Sequence, residues 1–187
     1  MDKILFINAC IRPNSRTLEL ANYVLSKLNG KVEEVNLYNE ELLPLNLKDL
    51  ELRDSANKSN DFSNSAFRLA RQFANAKTIV IAAPYWDLSF PSVVKTYFEK
   101  VTVNGLTFKY GENGIPAGLC NGQNLIYITT SGGPITFNFG YDYVSTLAKG
   151  FYGIKNVQLV KAEGLDVYGA DVNKIIATAK DSFKGLE

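Results

Sequence analysis

The stretch Ala9 to Thr17, ACIRPNSRT, gathers a thiol, two guanidinium groups and two hydroxyls directly after the apolar run Ile4 to Ile7. Cys10, five intervening residues, then Arg16 and Thr17 is the spacing of a cysteine-dependent phosphatase. In that chemistry a thiolate attacks phosphorus and the arginine holds its oxygens. The same residues suit a second chemistry. A segment that opens a helix turns free backbone N–H groups and the positive end of the helix dipole toward an anion. Ser15 and Thr17 would add hydroxyl donors, with Arg12 or Arg16 as charge partner, and a bound phosphate would be held and never cleaved. A plainer reading makes Ser15 an N-cap and leaves the arginines in solvent. The stretch has no glycine, so it matches neither GxGxxG nor the GxxxxGK phosphate loop.

Two other segments follow apolar runs and carry chemistry. Pro84-Tyr85-Trp86-Asp87-Leu88 comes after TIVIAA. Pro84 ends the strand and removes a donor. Tyr85 and the only tryptophan of the chain then stand where a planar ring can pack, unless Trp86 simply fills the core. Thr129-Thr130-Ser131-Gly132-Gly133-Pro134 comes after LIYIT. Its consecutive glycines let backbone N–H groups approach a ligand closely, as a flavin needs near N1 and O2, unless they form a plain turn.

Composition removes whole classes of mechanism. The chain of 187 residues contains no histidine, so a Ser-His-Asp triad, a Cys-His dyad and a histidine-ligated zinc are impossible. Cys10 and Cys120 are far apart, which argues against a disulfide framework or a thiolate metal site and suits a reducing cytoplasm. Redox or group-transfer chemistry would therefore rest on a borrowed cofactor. Twenty Lys and Arg against 19 Asp and Glu give no footing for nucleic acid or an acidic lipid surface. No apolar run approaches a bilayer span, and the N-terminal run reads as a strand, not a signal peptide.

The elements that must position these loops are apolar runs alternating with helix-period segments. The runs are Ile4 to Ile7, Val32 to Leu37, Thr78 to Ala83, Leu125 to Thr129 and Val157 to Val160. The central ones are apolar on both faces, as strands between helix layers are. Helical stripes occur at Leu18, Ala21, Leu25 and Leu28; at Ala66, Leu69, Ala70 and Phe73; and at Val94, Tyr97, Phe98 and Val101 after Pro91. They recur at Val144, Leu147, Ala148 and Phe151, and at Val172, Ile175, Ile176 and Ala179 after the N-cap Asp171. Five strands and five helices predict one α/β domain over residues 1–187, a parallel sheet with right-handed crossovers. In the order 2-1-3-4-5, with helices on both faces, strands one, three and four are adjacent and flank the switch point where ligands bind. Arg53 to Ser65, polar and rich in Ser and Asn, reads as a mobile surface excursion. Asn104 to Gly122, with five glycines, is too long for a simple connection and marks a functional loop.

These segments in this order resemble the flavodoxin-like NAD(P)H:quinone reductases and FMN-dependent NADH-azoreductases. The resemblance runs from KILFINACIRPNSRT through AAPYWDLSFPSVVK, NGLTFKYGENGIPAGL, ITTSGGP and FYGI to KAEGLDVYG. It implies a flavodoxin-like fold and an FMN cofactor. Ser15, Arg16 and Thr17, with Arg12, would hold its phosphate. Pro84, Tyr85, Trp86, Asp87 and Leu88 would line the ring, and Thr130, Ser131, Gly132 and Gly133 would close the other side. It also implies NADH or NADPH as co-substrate, a quinone, azo or nitro compound as acceptor, and ping-pong two-electron hydride transfer. A homodimer would have the active site at its interface, with the TFKY excursion helping to build it. Two positions depart from the pattern: Cys10 stands where azo-reducing members commonly have serine, and Ser131 where many have arginine.

Two alternatives remain beside this reading. Low-molecular-weight phosphatases share the sheet order and the cysteine loop after strand one. Here, however, Pro13 removes an amide from the phosphate ring and no late Asp-Pro segment supplies the general acid. A flavodoxin-type electron carrier would bind FMN without turning over substrate, but such carriers are usually strongly acidic.

Overall fold

The structure is a computed structural model that describes residues 2–186. Strands β1 (Lys3–Asn8), β2 (Lys31–Asn36) and β3 (Thr78–Ala82) precede a small antiparallel hairpin of β4 (Phe108–Tyr110) and β5 (Pro116–Gly118). Strands β6 (Asn124–Thr130) and β7 (Asn156–Ala162) follow. The main sheet is parallel throughout, in the order β2-β1-β3-β6-β7. Counting only its own strands, this is the expected 2-1-3-4-5.

The sheet is covered on both faces, which is why β3 and β6 are buried along their whole lengths. Side chains alternate between the faces. Ile4, Phe6, Val80, Ile126 and Ile128 pack under α1 (Arg16–Ser26) and α6 (Val172–Ser182). Leu5, Ile7, Ile79, Ile81 and Tyr127 pack under the other layer. That layer contains α2 (Leu47–Ser59), α3 (Arg68–Asn75), α4 (Ser92–Val101) and α5 (Phe139–Leu147). Each fully buried Ile, Val or Leu stabilises by about 1.5–3 kcal/mol relative to exposure. β2 is an edge strand with only Val35 buried, which explains its weak apolar signal.

Caps fix where the helices begin. The Ser15 hydroxyl accepts from the Leu18 N–H, and the Asp171 carboxylate accepts from the Lys174 N–H, as expected of N-caps. The expected excursion from Arg53 to Ser65 is different in kind. Its first half is helical, part of α2, and its last residue opens a short 3-10 turn, Ser65–Phe67. α2 carries no apolar stripe and buries only Ala56, so periodicity could not reveal it. A reciprocal capping box holds it instead: Asn46 Oδ1 accepts from the Asp49 N–H, and Asp49 Oδ2 accepts from the Asn46 N–H.

Beneath α3 and α4 an aromatic cluster of Phe73, Tyr97, Phe98 and Tyr152 fills the core. The Tyr152 and Thr102 hydroxyls bond at 2.5 Å, but the fully buried Tyr97 hydroxyl has no partner among the described residues. Burial holds its pKa well above the ordinary tyrosine value, so it remains a neutral, unsatisfied donor. Such a group costs about 1–3 kcal/mol. Tyr97→Phe keeps the ring and removes the cost. We expect it to raise the thermal midpoint by several degrees in a calorimetric melt; a lowered midpoint would show that the hydroxyl is satisfied in solution.

Candidate functional site

β1 ends at Asn8, whose buried carboxamide sets the direction of the loop that follows. Its Oδ1 accepts from the Cys10 N–H at 2.9 Å, and its Nδ2 donates to Glu34 on β2 at 2.9 Å. The chain then passes Arg12, Pro13 and Asn14 on the surface and enters α1 at Arg16. With Ser15 as cap, the Leu18 and Glu19 N–H groups are satisfied by that residue. The Arg16 and Thr17 N–H groups have no protein acceptor among the described residues. Both residues line a cleft of about 460 Å³ at the carboxyl edge of the sheet.

Arg12, Ser15, Arg16 and Thr17 all line this cleft, and so do Pro84, Tyr85 and Trp86 from the second loop and Thr130, Ser131 and Gly132 from the third. The three segments singled out in sequence therefore meet in one cavity of a size suited to a cofactor. Asp87, Leu88 and Gly133 lie one or two residues outside its lining. A depression of similar size between β7 and α6 takes only Glu163 from a strand-end loop and none of the residues of the three loops.

The second loop is a strained turn. Asp87 (φ 50°) and Leu88 (φ 66°) both sit in the left-handed region without being glycine. Positive φ at both central residues is the signature of a type I′ turn. Reciprocal bonds close it, Trp86 N–H to Ser89 O at 3.1 Å and Ser89 N–H to Trp86 O at 2.8 Å. Holding Leu88 there costs about 1–2 kcal/mol. The turn places Trp86 at the cleft wall with 42% of its surface exposed, so this tryptophan is not core filling. Tyr85 donates its hydroxyl to Phe137 O at 2.7 Å and its N–H to Thr130 O at 3.0 Å.

The third loop makes its own internal contacts. Ser131 turns its hydroxyl back onto Gly133 O. A Cβ at Gly132 would lie 2.4 Å from Asp166 Oδ2, so a side chain there would displace the exposed Asp166 carboxylate. Thr130 continues the face of Ile126 and Ile128, and its Oγ1 lies 2.7 Å from Thr17 Oγ1.

Sequence reasoning missed Leu165 and Asp166, which also line the cleft. The loop after β7 stays bonded to the loop after β6: Leu165 N–H reaches Ser131 O at 3.1 Å and Asp166 N–H reaches Gly132 O at 2.9 Å. Asp166 then takes Arg16 Nη1 at 2.8 Å, so Arg16 is committed to an ion pair as well as facing the cleft. The signal available was positional: this loop follows the fifth strand at the same sheet edge. The Asn104–Gly122 excursion, by contrast, contributes no residue to the cleft of its own chain.

These walls fit a flavin mononucleotide. Among the described residues the helix N–H groups of Arg16 and Thr17 are free, Arg12 has no ion pair and the Gly132 and Gly133 N–H groups lack protein acceptors; the first two suit a phosphate, and Trp86 offers an exposed ring.

Comparison with known proteins agrees. A family model described as flavodoxin-like fold matches residues 2–186. An FMN-dependent NADH:quinone oxidoreductase of Coprothermobacter proteolyticus is 34% identical, over 96% of this chain and 94% of that protein. Another so named, from Clostridium perfringens, is 35% identical over 93% and 92%. Among solved structures, an azoreductase from Bacillus anthracis superposes with a TM-score of 0.84 at 27% identity, covering 97% and 96% of the two chains.

Cys10 is the remaining test of the phosphatase alternative, which none of these relatives supports. Its thiol is buried, 3.8 Å from Ala82 O. Burial raises its pKa, and a hydrogen bond with Ser15 only partly offsets this. Burial pushes Cys120 further, to about 12. A raised pKa means less thiolate at any given pH, so both cysteines should resist iodoacetamide at neutral pH in the folded protein and react once it is unfolded in urea. Rapid alkylation of native Cys10, read by peptide mass, together with aryl phosphate hydrolysis, would revive the nucleophile.

Proposed function

The chain belongs to the flavodoxin-like fold family, among relatives named FMN-dependent NADH:quinone oxidoreductases, and from that premise we propose that it is an FMN-dependent enzyme passing electrons from NADH or NADPH to a quinone. One observation carries the reading. Three strand-end loops, each unremarkable alone, converge on a single cleft that has phosphate donors at one end and exposed Trp86 at another wall. When bound, FMN would supply the two-electron hydride chemistry that this chain, without histidine or metal-ligand cluster among its described residues, does not itself provide.

The protein's part is holding and orienting. The Arg16 and Thr17 N–H groups with the Thr17 hydroxyl hold the phosphate at the positive end of α1, and Arg12 adds charge from the surface. Pro84, Tyr85 and Trp86 border the ring, with Asp87 and Leu88 supplying backbone N–H groups from the turn behind. Gly132 and Gly133 offer N–H groups where charge gathers on the reduced ring. Tyr85 spends its hydroxyl proton on Phe137 O, so delivering it to an acceptor would mean breaking that bond. Water is the other proton source open to the acceptor.

We extend the proposal to a homodimer of single-domain chains acting in the cytoplasm, with azo and nitro compounds as further acceptors. Phe137 and Phe139 stack on the surface, with centroids 5.8 Å apart, beside Leu88 and Trp86, all exposed. Exposed apolar surface of this kind at the mouth of a cleft is characteristic of an interface. Among the described residues no helix is long and apolar enough to cross a membrane.

Purified protein incubated with FMN and freed of excess should keep the flavin absorbance bands, and NADH should bleach them. With a quinone and no partner protein, NADH oxidation should then run steadily. Double-reciprocal plots should give parallel lines, since the two substrates take turns in one cleft. A colourless protein that binds no flavin would end the proposal, and a flavoprotein needing a partner to oxidise NADH would be a carrier instead.

A further inference from the structure

We propose that Thr130 is a positioning residue for the cofactor phosphate and acts through Thr17. The inference rests on the FMN reading above and goes beyond it, since the sequence reading set Thr130 beside the flavin ring. Thr17 is the second residue of α1 and Thr130 the last of β6, and their hydroxyl oxygens are 2.7 Å apart. Thr17 is 1% exposed and Thr130 9%, and both line the cleft.

Proton counting decides what the pair can do. Each hydroxyl has one proton to donate and lone pairs to accept with. The contact between them uses one proton. The second has no protein acceptor among the described residues. A buried donor pair lining a cleft therefore holds one proton ready for a ligand oxygen. The Thr17 hydroxyl belongs to the same helix turn as the free Arg16 and Thr17 N–H groups, so an anion held there meets the proton of Thr17. Thr130 must then be the donor to Thr17. Both residues are β-branched and stiff at χ1, so the bond fixes the rotor as well as the position of the Thr17 hydroxyl.

Thr130 is itself fixed. Its side chain follows the strand alternation set by Ile126 and Ile128, and its carbonyl accepts the Tyr85 N–H. One residue thus connects the phosphate loop to the ring loop, its side chain serving the first and its main chain the second. A flavin without a phosphate would not feel loss of the hydroxyl.

The test is the ratio of FMN to riboflavin affinity, measured by flavin fluorescence quenching on the wild type, T130V and T130S. T130V should weaken FMN binding about five- to tenfold and leave riboflavin within about twofold, and T130S should restore FMN binding. A merely structural role would weaken both flavins together, and that outcome, or an unchanged FMN affinity in T130V, would overturn the proposal while the FMN reading stands. A wild type that binds neither flavin would overturn both. If T130V fails to fold in a thermal melt, T130A carries the same comparison.

Discussion

Four main-chain hydrogen bonds beyond the strand ends hold this cleft together. Ala9 N–H reaches Ala82 O, Ala83 N–H reaches Ile128 O, Tyr85 N–H reaches Thr130 O, and Ser131 N–H reaches Ala162 O, all within 2.8–3.0 Å. The sheet ladder therefore continues one to three residues past the strand ends before the chain turns away. Parallel strands put their carboxyl ends on one edge. These bonds go further and fix the height at which each loop leaves that edge. The phosphate loop, the Trp86 turn and the glycine pair are placed by backbone geometry that any apolar sequence of the right register would support. Side chains then have only local choices to make.

This separation explains what could be read from the sequence. Strands and helix layers follow from apolar periodicity, because burial on two faces leaves a plain signal in β3 and β6, while the strand order, and with it the convergence of three loops, comes from the common doubly-wound arrangement. The parts that escaped have no apolar signal. α2 is held by the Asn46–Asp49 box and not by burial, so a reader of stripes sees an excursion, although N-x-x-D was there to be found. Asp166 enters through loop-to-loop main-chain bonds, and such pairing leaves no pattern in residue types. Thr130 could have been placed: it follows Ile126 and Ile128 by twos, and alternation alone aims it at α1.

The Trp86 turn is the place where local preference and observed structure disagree. A hairpin-type turn with positive φ at two residues favours Asn-Gly or Asp-Gly, and this chain has Asp-Leu. Leu88 has no side-chain compensation for that backbone, but its carbonyl accepts the Phe139 N–H at the start of α5, and Tyr85 is tied to Phe137 O. The turn is thus held from both sides by the segment leading into α5. Strain retained under such bracing is typical of functional loops. Here its effect is to keep Trp86 out of the core and to hold two N–H groups at a fixed angle beside the cleft.

Charge plays a smaller part in the cleft than its arginines suggest. Arg16 pairs with Asp166, which is 72% exposed, and the same guanidinium nitrogen also reaches Leu165 O at 3.5 Å. An ion pair so open to solvent contributes about 0–1 kcal/mol and fades with salt. Its carboxylate also offsets the cation that an incoming phosphate would use, leaving surface Arg12 as the cation at the cleft with no ion pair among the described residues. Recognition must then come from donors that salt screens poorly: two helix N–H groups and a buried hydroxyl pair with one proton to give. Such donors are fixed in direction and select a phosphate oxygen by where it lies, whereas a bare positive surface would attract any anion. The absence of glycine from the phosphate loop fits the same logic, because a loop that wraps a phosphate entirely in backbone needs glycine, and one that relies on a helix terminus and side-chain hydroxyls does not.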